Sequence, residues 1–235
     1  MNADELRSLQ APLKAQYREH PEKGLVTLRA EGRVGDNITC RIETGKARVA
    51  ADTAASTVSQ PEIPLMTAEE LKSLQAPLKA QYRERPETAL VTLRAEGRVG
   101  QNVTCKIESG KARVEAGLHP ATGGDGQSAC SADMLLEALV GCAGVTLGAV
   151  ATALGITLRD ATIRAEGDLD FRGTLGVSKE VLVGFKQIRL HFDLDTDASE
   201  ERRANLIRLT ERYCVVYQTL HQPANIAVSH RVTSR

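Results

Sequence analysis

Tryptophan is absent and aromatic residues make up only 3% of the chain, so stacking platforms for bases or sugars are not expected. Neither sign of charge dominates. The 30 basic residues are matched by 30 acidic ones, which removes any net pull toward nucleic acid or an anionic membrane. No apolar run reaches the roughly 18 residues of a candidate membrane span; the longest, around Cys142, is diluted with glycine and alanine. The opening Met1-Asn2-Ala3-Asp4-Glu5 is acidic where a secretory signal is basic and then apolar, so the expected location is the cytoplasm. Five cysteines are present, yet none has CxxC spacing or clusters with histidine. A disulfide framework and a zinc site are therefore not expected, and individual reduced thiols are what remains. His191 and His221 have no partner at ligand spacing.

What the chain does contain is a repeat. Residues 1–51 recur at 66–116, with Ser8 through Glu19 returning unchanged as Ser73 through Glu84. Two nearly identical copies are a recent duplication, not an ancient solenoid. Residues 52–65, small, polar and proline-punctuated, have linker composition. The expected organisation is a partial duplicate over 1–51, a linker over 52–65, and one domain over 66–235, itself an N-terminal helix (66–86) and a core (87–235). Near-identical strands fit one register, so residues 24–50 and 89–115 are expected to compete for a single sheet edge.

In each copy an amphipathic helix (about 68–83, echoing 3–18) precedes strand-like alternation. Leu90–Ala95 leads to an expected turn at Glu96-Gly97-Arg98-Val99-Gly100, then to strands over 102–108 and 111–115. The segment 132–154 is apolar or small on all sides, the pattern of a helix buried at a domain centre, with Ser131 as N-cap and Gly155 as stop. Strands are expected at 157–166, 187–195 and 225–232, and helices near 199–212 and from Cys214 to Leu220. Strands grouped at both ends of one hydrophobic helix indicate an α+β domain, not a doubly wound sheet.

Two cysteines stand out as a candidate redox pair. Cys142 lies in Leu139-Val140-Gly141-Cys142-Ala143-Gly144, and Cys214 opens Cys214-Val215-Val216-Tyr217-Gln218. A place at the first turn of a helix favours a thiolate at Cys214, whereas an apolar helix interior disfavours one at Cys142. Cys40, Cys105 and Cys130 read as packing residues, with Cys130 an alternative resolving thiol.

The loop Gly123-Gly124-Asp125-Gly126, the helix Leu135–Cys142 and the segment Cys214–Leu220 together resemble the OsmC/Ohr family of thiol-dependent organic hydroperoxide reductases, over about 87–235. The resemblance implies antiparallel sheets wrapped around a central helix, an intertwined homodimer, and a peroxiredoxin-type reaction without metal or flavin. It implies Cys142 as the peroxidatic and Cys214 as the resolving thiol, with an organic hydroperoxide as substrate and an external dithiol as reductant. It also implies an arginine that activates the thiolate, matched best by Arg98 with Arg94 in reserve, and a carboxylate that orients it. The family's glutamate position is Ala132 here, which leaves the adjacent Asp133 for that role. The alternative is a non-catalytic OsmC-like protein that binds a small apolar ligand.

Overall fold

The computed structural model describes residues 3–35, 39–43, 66–90, 96–99, 105–109 and 112–232. In chain order these form α1 (Ala3–Glu19), β1 (Leu25–Gly35), β2 (Thr39–Glu43), α2 (Ala68–Glu84), β3 (Glu96–Val99), β4 (Cys105–Ser109), β5 (Ala112–Gly117), β6 (Ala129–Cys130) and α3 (Ser131–Leu154). The remainder is β7 (Asp160–Asp170), a single turn α4 (Phe171–Thr174), β8 (Phe185–Asp195), α5 (Glu200–Tyr213) and α6 (Val215–His221).

The 24-residue α3 touches β1, β2, β7, α5 and α6. It stops where expected. Gly155 takes a left-handed φ of 60°, and Ile156 donates back to the Ala151 carbonyl at 2.9 Å, a closure that a β-carbon would strain. Its start is displaced by one residue. Ala129 and Cys130 pair with β5, which keeps the chain extended through Cys130 and makes that residue, not Ser131, the N-cap. Length and hydropathy alone would let α3 cross a bilayer, against the sequence expectation. Its apolarity has another use here, because Leu136, Leu139, Val140, Ala143 and Leu147 are fully or almost fully buried in protein. Leu135 and Val145 are exposed, so the helix is not enclosed on every side.

Among the described residues there are two four-stranded sheets, ordered β2-β1-β7-β8 and β3-β4-β5-β6. All pairings are antiparallel except the short β5–β6 contact. The first sheet joins a strand of the first copy to strands of the 66–235 segment. Strand β1, from the first copy, pairs with β7 from Leu25 opposite Asp170 to Arg33 opposite Thr162. The physical reason lies in its alternation: Leu28, Ala30 and Val34 are buried, while Arg29 and Arg33 face outward. Burying a Leu or Val side chain contributes about 1.5–3 kcal/mol. On the outer face Arg29 pairs with Glu166 at 2.7 Å, Arg164 with Glu31 at 2.9 Å, and the Thr27 hydroxyl donates to Asp168 at 2.6 Å. Such exposed pairs each contribute about 0–1 kcal/mol, so burial holds β1 in place and the polar ladder refines its register.

The expected turn at 96–100 is also corrected. Residues 96–99 are strand, as are their counterparts 31–34 in β1, because pairing carries the chain straight through the glycine: Gly97 lies opposite Ile107, and Gly32 opposite Ile42. Residues 91–95 and 100–104 lie outside the described residues. The expected strand at 225–232 does not form. Its alternation is present, but Ile226, Val228 and Val232 are exposed, and no described strand pairs with the segment.

Candidate dithiol site

Cys214 sits at an elbow. Helix α5 starts at its N-cap Ser199, whose hydroxyl accepts from the Arg202 amide, and ends at Cys214; α6 begins with the same residue as its N-cap. The Cys214 amide donates to the Thr210 carbonyl at 2.9 Å, and its sulfur accepts from the Tyr217 amide at 3.5 Å. One extended residue thus closes one helix and opens the next. The Gln218 side chain donates to the Glu211 carbonyl at 2.9 Å and clamps the two helices together. The Cys214 side chain is buried.

Cys142 is half-buried on α3, near enough to Cys214 to act electrostatically on its thiol. The two residues that sequence reading paired are therefore brought together. Burial pushes the Cys214 thiol up from an ordinary value of 9.0 to about 11; the Tyr217 amide opposes this, and the hydrogen bond and negative charge of Cys142 add to it. The expectation that the helix start makes Cys214 the thiolate is corrected by this burial, which outweighs the amide. Cys214 therefore holds its proton more firmly than an ordinary thiol.

The raised value predicts a pH effect on stability. Between pH 9 and 11 the unfolded thiol has lost its proton while the folded one still holds it, so stability is intact below the window and falls as pH rises through it. The gap corresponds to about 3 kcal/mol. Urea unfolding at pH 8 and pH 11 should show the wild type losing about that much more than Cys214→Ala. Parallel losses in both proteins would refute the assignment.

Of the expected activating pair, the structure describes the backbone of Arg98 and the whole of Asp133. Arg98 lies on β3 opposite Lys106, in the sheet that does not contain β7; its side chain, like all of Arg94, lies outside the described residues. Their first-copy counterparts Arg33 and Arg29 are on β1, on the outer face, with Arg29 held by Glu166. Asp133 is half-buried in the first turn of α3. Its charge, after desolvation, helps to raise the Glu137 carboxyl above its usual range. Ala132 packs against the core.

Two features were missed in the sequence. The first is the contribution of the duplicate: a β-carbon on Gly141, the residue before Cys142, would stand 2.8 Å from Ile42 of β2, so the first copy walls one side of the site. The second is a cavity of about 460 Å³ lined by Leu139, Phe185, Leu190, Phe192, Tyr217 and Leu220, with Lys186, Glu211 and His221 also lining it. Neither cysteine lines the cavity, but two of its lining residues are their neighbours: Leu139 is one helical turn before Cys142, and Tyr217 donates its amide to Cys214. The Cys-x-x-Tyr spacing, that of an N-cap and its N3 amide, was the available signal for Tyr217. Among the described residues, no cluster of three or more His, Cys, Asp or Glu is arranged to hold a metal.

No curated protein matches the chain. An OsmC-like protein from Mycoplasma pneumoniae is similar at 18% identity, with 57% of this chain and 89% of that one covered and a TM-score of 0.48. An organic hydroperoxide resistance protein OsmC from Legionella pneumophila shows 18% identity, coverage of 57% and 91%, and a TM-score of 0.46. For an OsmC-like hydroperoxide resistance protein from Jannaschia the values are 18%, 60% and 92%, and 0.40. Residues 124–229, which carry the glycine loop, α3 and both cysteines of the pair, match the family profile described as OsmC-like protein. Through these residues, a little under half of the chain, the protein is similar to the OsmC-like family.

Proposed function

We propose that this chain reduces organic hydroperoxides to alcohols with Cys142 and Cys214. The observation that carries the reading is the proximity of the two thiols, with Cys214 buried and its pKa raised partly by Cys142. The Cys142 thiolate attacks the distal oxygen of ROOH; the O–O bond breaks, and the sulfur becomes a sulfenic acid. The departing alkoxide needs a proton. The neighbouring Cys214 thiol can supply it, because an acid with a value near 11 is far stronger than an alcohol. That transfer leaves Cys214 as the thiolate that the next step requires. It attacks the sulfenic sulfur, hydroxide leaves and is protonated to water, and a disulfide forms. An external dithiol then exchanges with the disulfide and restores both thiols.

The apolar lining of the neighbouring cavity suits the hydrocarbon part of such a substrate better than hydrogen peroxide. The same cavity favours a second reading, a binding protein whose apolar ligand occupies it while the cysteines only pack. Reduced protein treated with cumene hydroperoxide separates the two. Loss of two thiols per chain and a linked peptide pair containing Cys142 and Cys214 are expected; an unchanged thiol count would leave the binding reading standing.

A further inference from the structure

The first copy is docked on the domain sheet, and the second carries the same docking residues. All of β1, Leu25–Gly35, recurs without change at residues 90–100. The two hairpins also share one register: Gly32–Ile42 and Val34–Cys40 correspond to Gly97–Ile107 and Val99–Cys105. Strand β3 ends its sheet. The edge it leaves without a strand partner among the described residues is the one by which β1 takes β7.

The polar partners on the outer face recur as well, Thr27, Arg29 and Glu31 returning as Thr92, Arg94 and Glu96. So does the helix that precedes the strand. Tyr17 of α1 is 4% exposed and donates its hydroxyl to the Ala121 carbonyl at 2.9 Å, whereas the equivalent Tyr82 of α2 is 38% exposed, alongside exposed Leu74 and Leu78. Helix α2 packs on α3 of its own chain, and β5 is tied to β6 at the start of α3. The second copy is therefore tethered close to the edge it matches, at the high effective concentration that a tether gives.

We infer that residues 89–108 are a competing occupant of the β7 edge held in this structure by residues 24–43, and that Gly24 against Ala89 sets the preference between them. Gly24 is buried against Arg172 and Asp170. A β-carbon there would stand 2.9 Å from Arg172 Cγ and 3.3 Å from Asp170 Oδ1. Arg172 cannot swing aside freely, because its guanidinium binds both oxygens of the buried Asp170 at 2.9 and 2.7 Å. The second copy brings an alanine to this point, so its docking must disturb that ion pair while the first copy's does not. From Leu25 to Gly35 the strand that follows is the same in both copies.

Cross-linking in the full chain tests this. Thr27→Cys with Asp168→Cys should form an intramolecular disulfide directly, since the two positions face each other in the ladder. Thr92→Cys with Asp168→Cys should form the same bond slowly, detected as linked peptides in a monomer-sized species. Adding Gly24→Ala should raise the yield of the 92–168 link roughly tenfold, the size expected for an overpacked contact, and Ala89→Gly should raise it too. Absence of the 92–168 link in the Gly24→Ala background, or its appearance only between chains, would overturn the inference. Hydrogen exchange of the Gly24→Ala protein without added cysteines gives a second reading. Protection lost from 25–35 should reappear at 90–100, and loss without that gain would refute the exchange.

Discussion

Replacing Cys142 by serine is expected to lower hydroperoxide turnover roughly a thousandfold or more, the scale of removing a nucleophile, and to leave Cys214 unreactive toward peroxide. The second half of that expectation follows from the elbow between α5 and α6. A thiol held at about 11 is ionised in about one molecule in several thousand near pH 7.5, and the thiolate is the nucleophile. Cys214→Ser should behave differently. Its Cys142 can still attack peroxide once, but the sulfenic acid finds no thiol to condense with and persists. Dimedone should then label Cys142 in the Cys214→Ser protein and neither position in Cys142→Ser. Peroxide-dependent labelling of Cys214 in the Cys142→Ser protein would reverse the two roles, and undiminished turnover there would remove the dithiol mechanism altogether.

The sequence made the ends of the helices and the two sulfurs legible because each depends on local chemistry. Gly155 stops α3 since only a residue without a β-carbon takes that left-handed turn at no cost, and Ser199 caps α5 through its own hydroxyl. Cys142 and Cys214 were paired by family resemblance, and their contact follows from the packing of α3 against α6. Long-range choices were not legible. Identical strand sequences give identical propensities, so the competition between the copies was foreseeable, but its outcome depends on one methyl group against Arg172. The segment 225–232 failed as a strand for a related reason: alternation describes what a strand would bury, not whether a neighbour is there to pair with it. The turn expected at Gly97 failed because a glycine breaks a strand only where pairing does not hold the backbone. Arg98, matched to the site by family resemblance, lies in that strand. The direction of the Cys214 shift was misjudged because a helix start is visible in sequence and burial of the sulfur is not.

Gly124→Ala should destabilise the protein far more than Gly155→Ala, although both remove a glycine from the OsmC-like segment. At Gly155 the cost is conformational alone: φ is +60° and a β-carbon would meet nothing within 4 Å, so about 1–2 kcal/mol is expected. At Gly124 the obstacle is backbone. A β-carbon would stand 1.8 Å from the Leu118 carbonyl oxygen and 2.5 Å from its carbon, and neither atom can rotate away as a side chain would. The loop itself must open. It is closed by hydrogen bonds from the Thr122 and Gly124 amides to the His119 carbonyl at 2.8 and 3.1 Å, and it holds α1 through Gln10 on the Thr122 carbonyl at 3.1 Å and Tyr17 on that of Ala121. Opening it therefore loosens the helix that precedes β1 as well as the approach to α3. A cost of about 3 kcal/mol or more corresponds to a melting point lowered by roughly 10 °C in a chain of this size. Thermal melts of the two variants check the contrast. Equal small shifts would mean that the loop yields easily and that the glycine is not required by its close approach to Leu118; a large shift confined to Gly124→Ala, with Tyr17 becoming exposed, ties the family's glycine loop to the docking of the first copy.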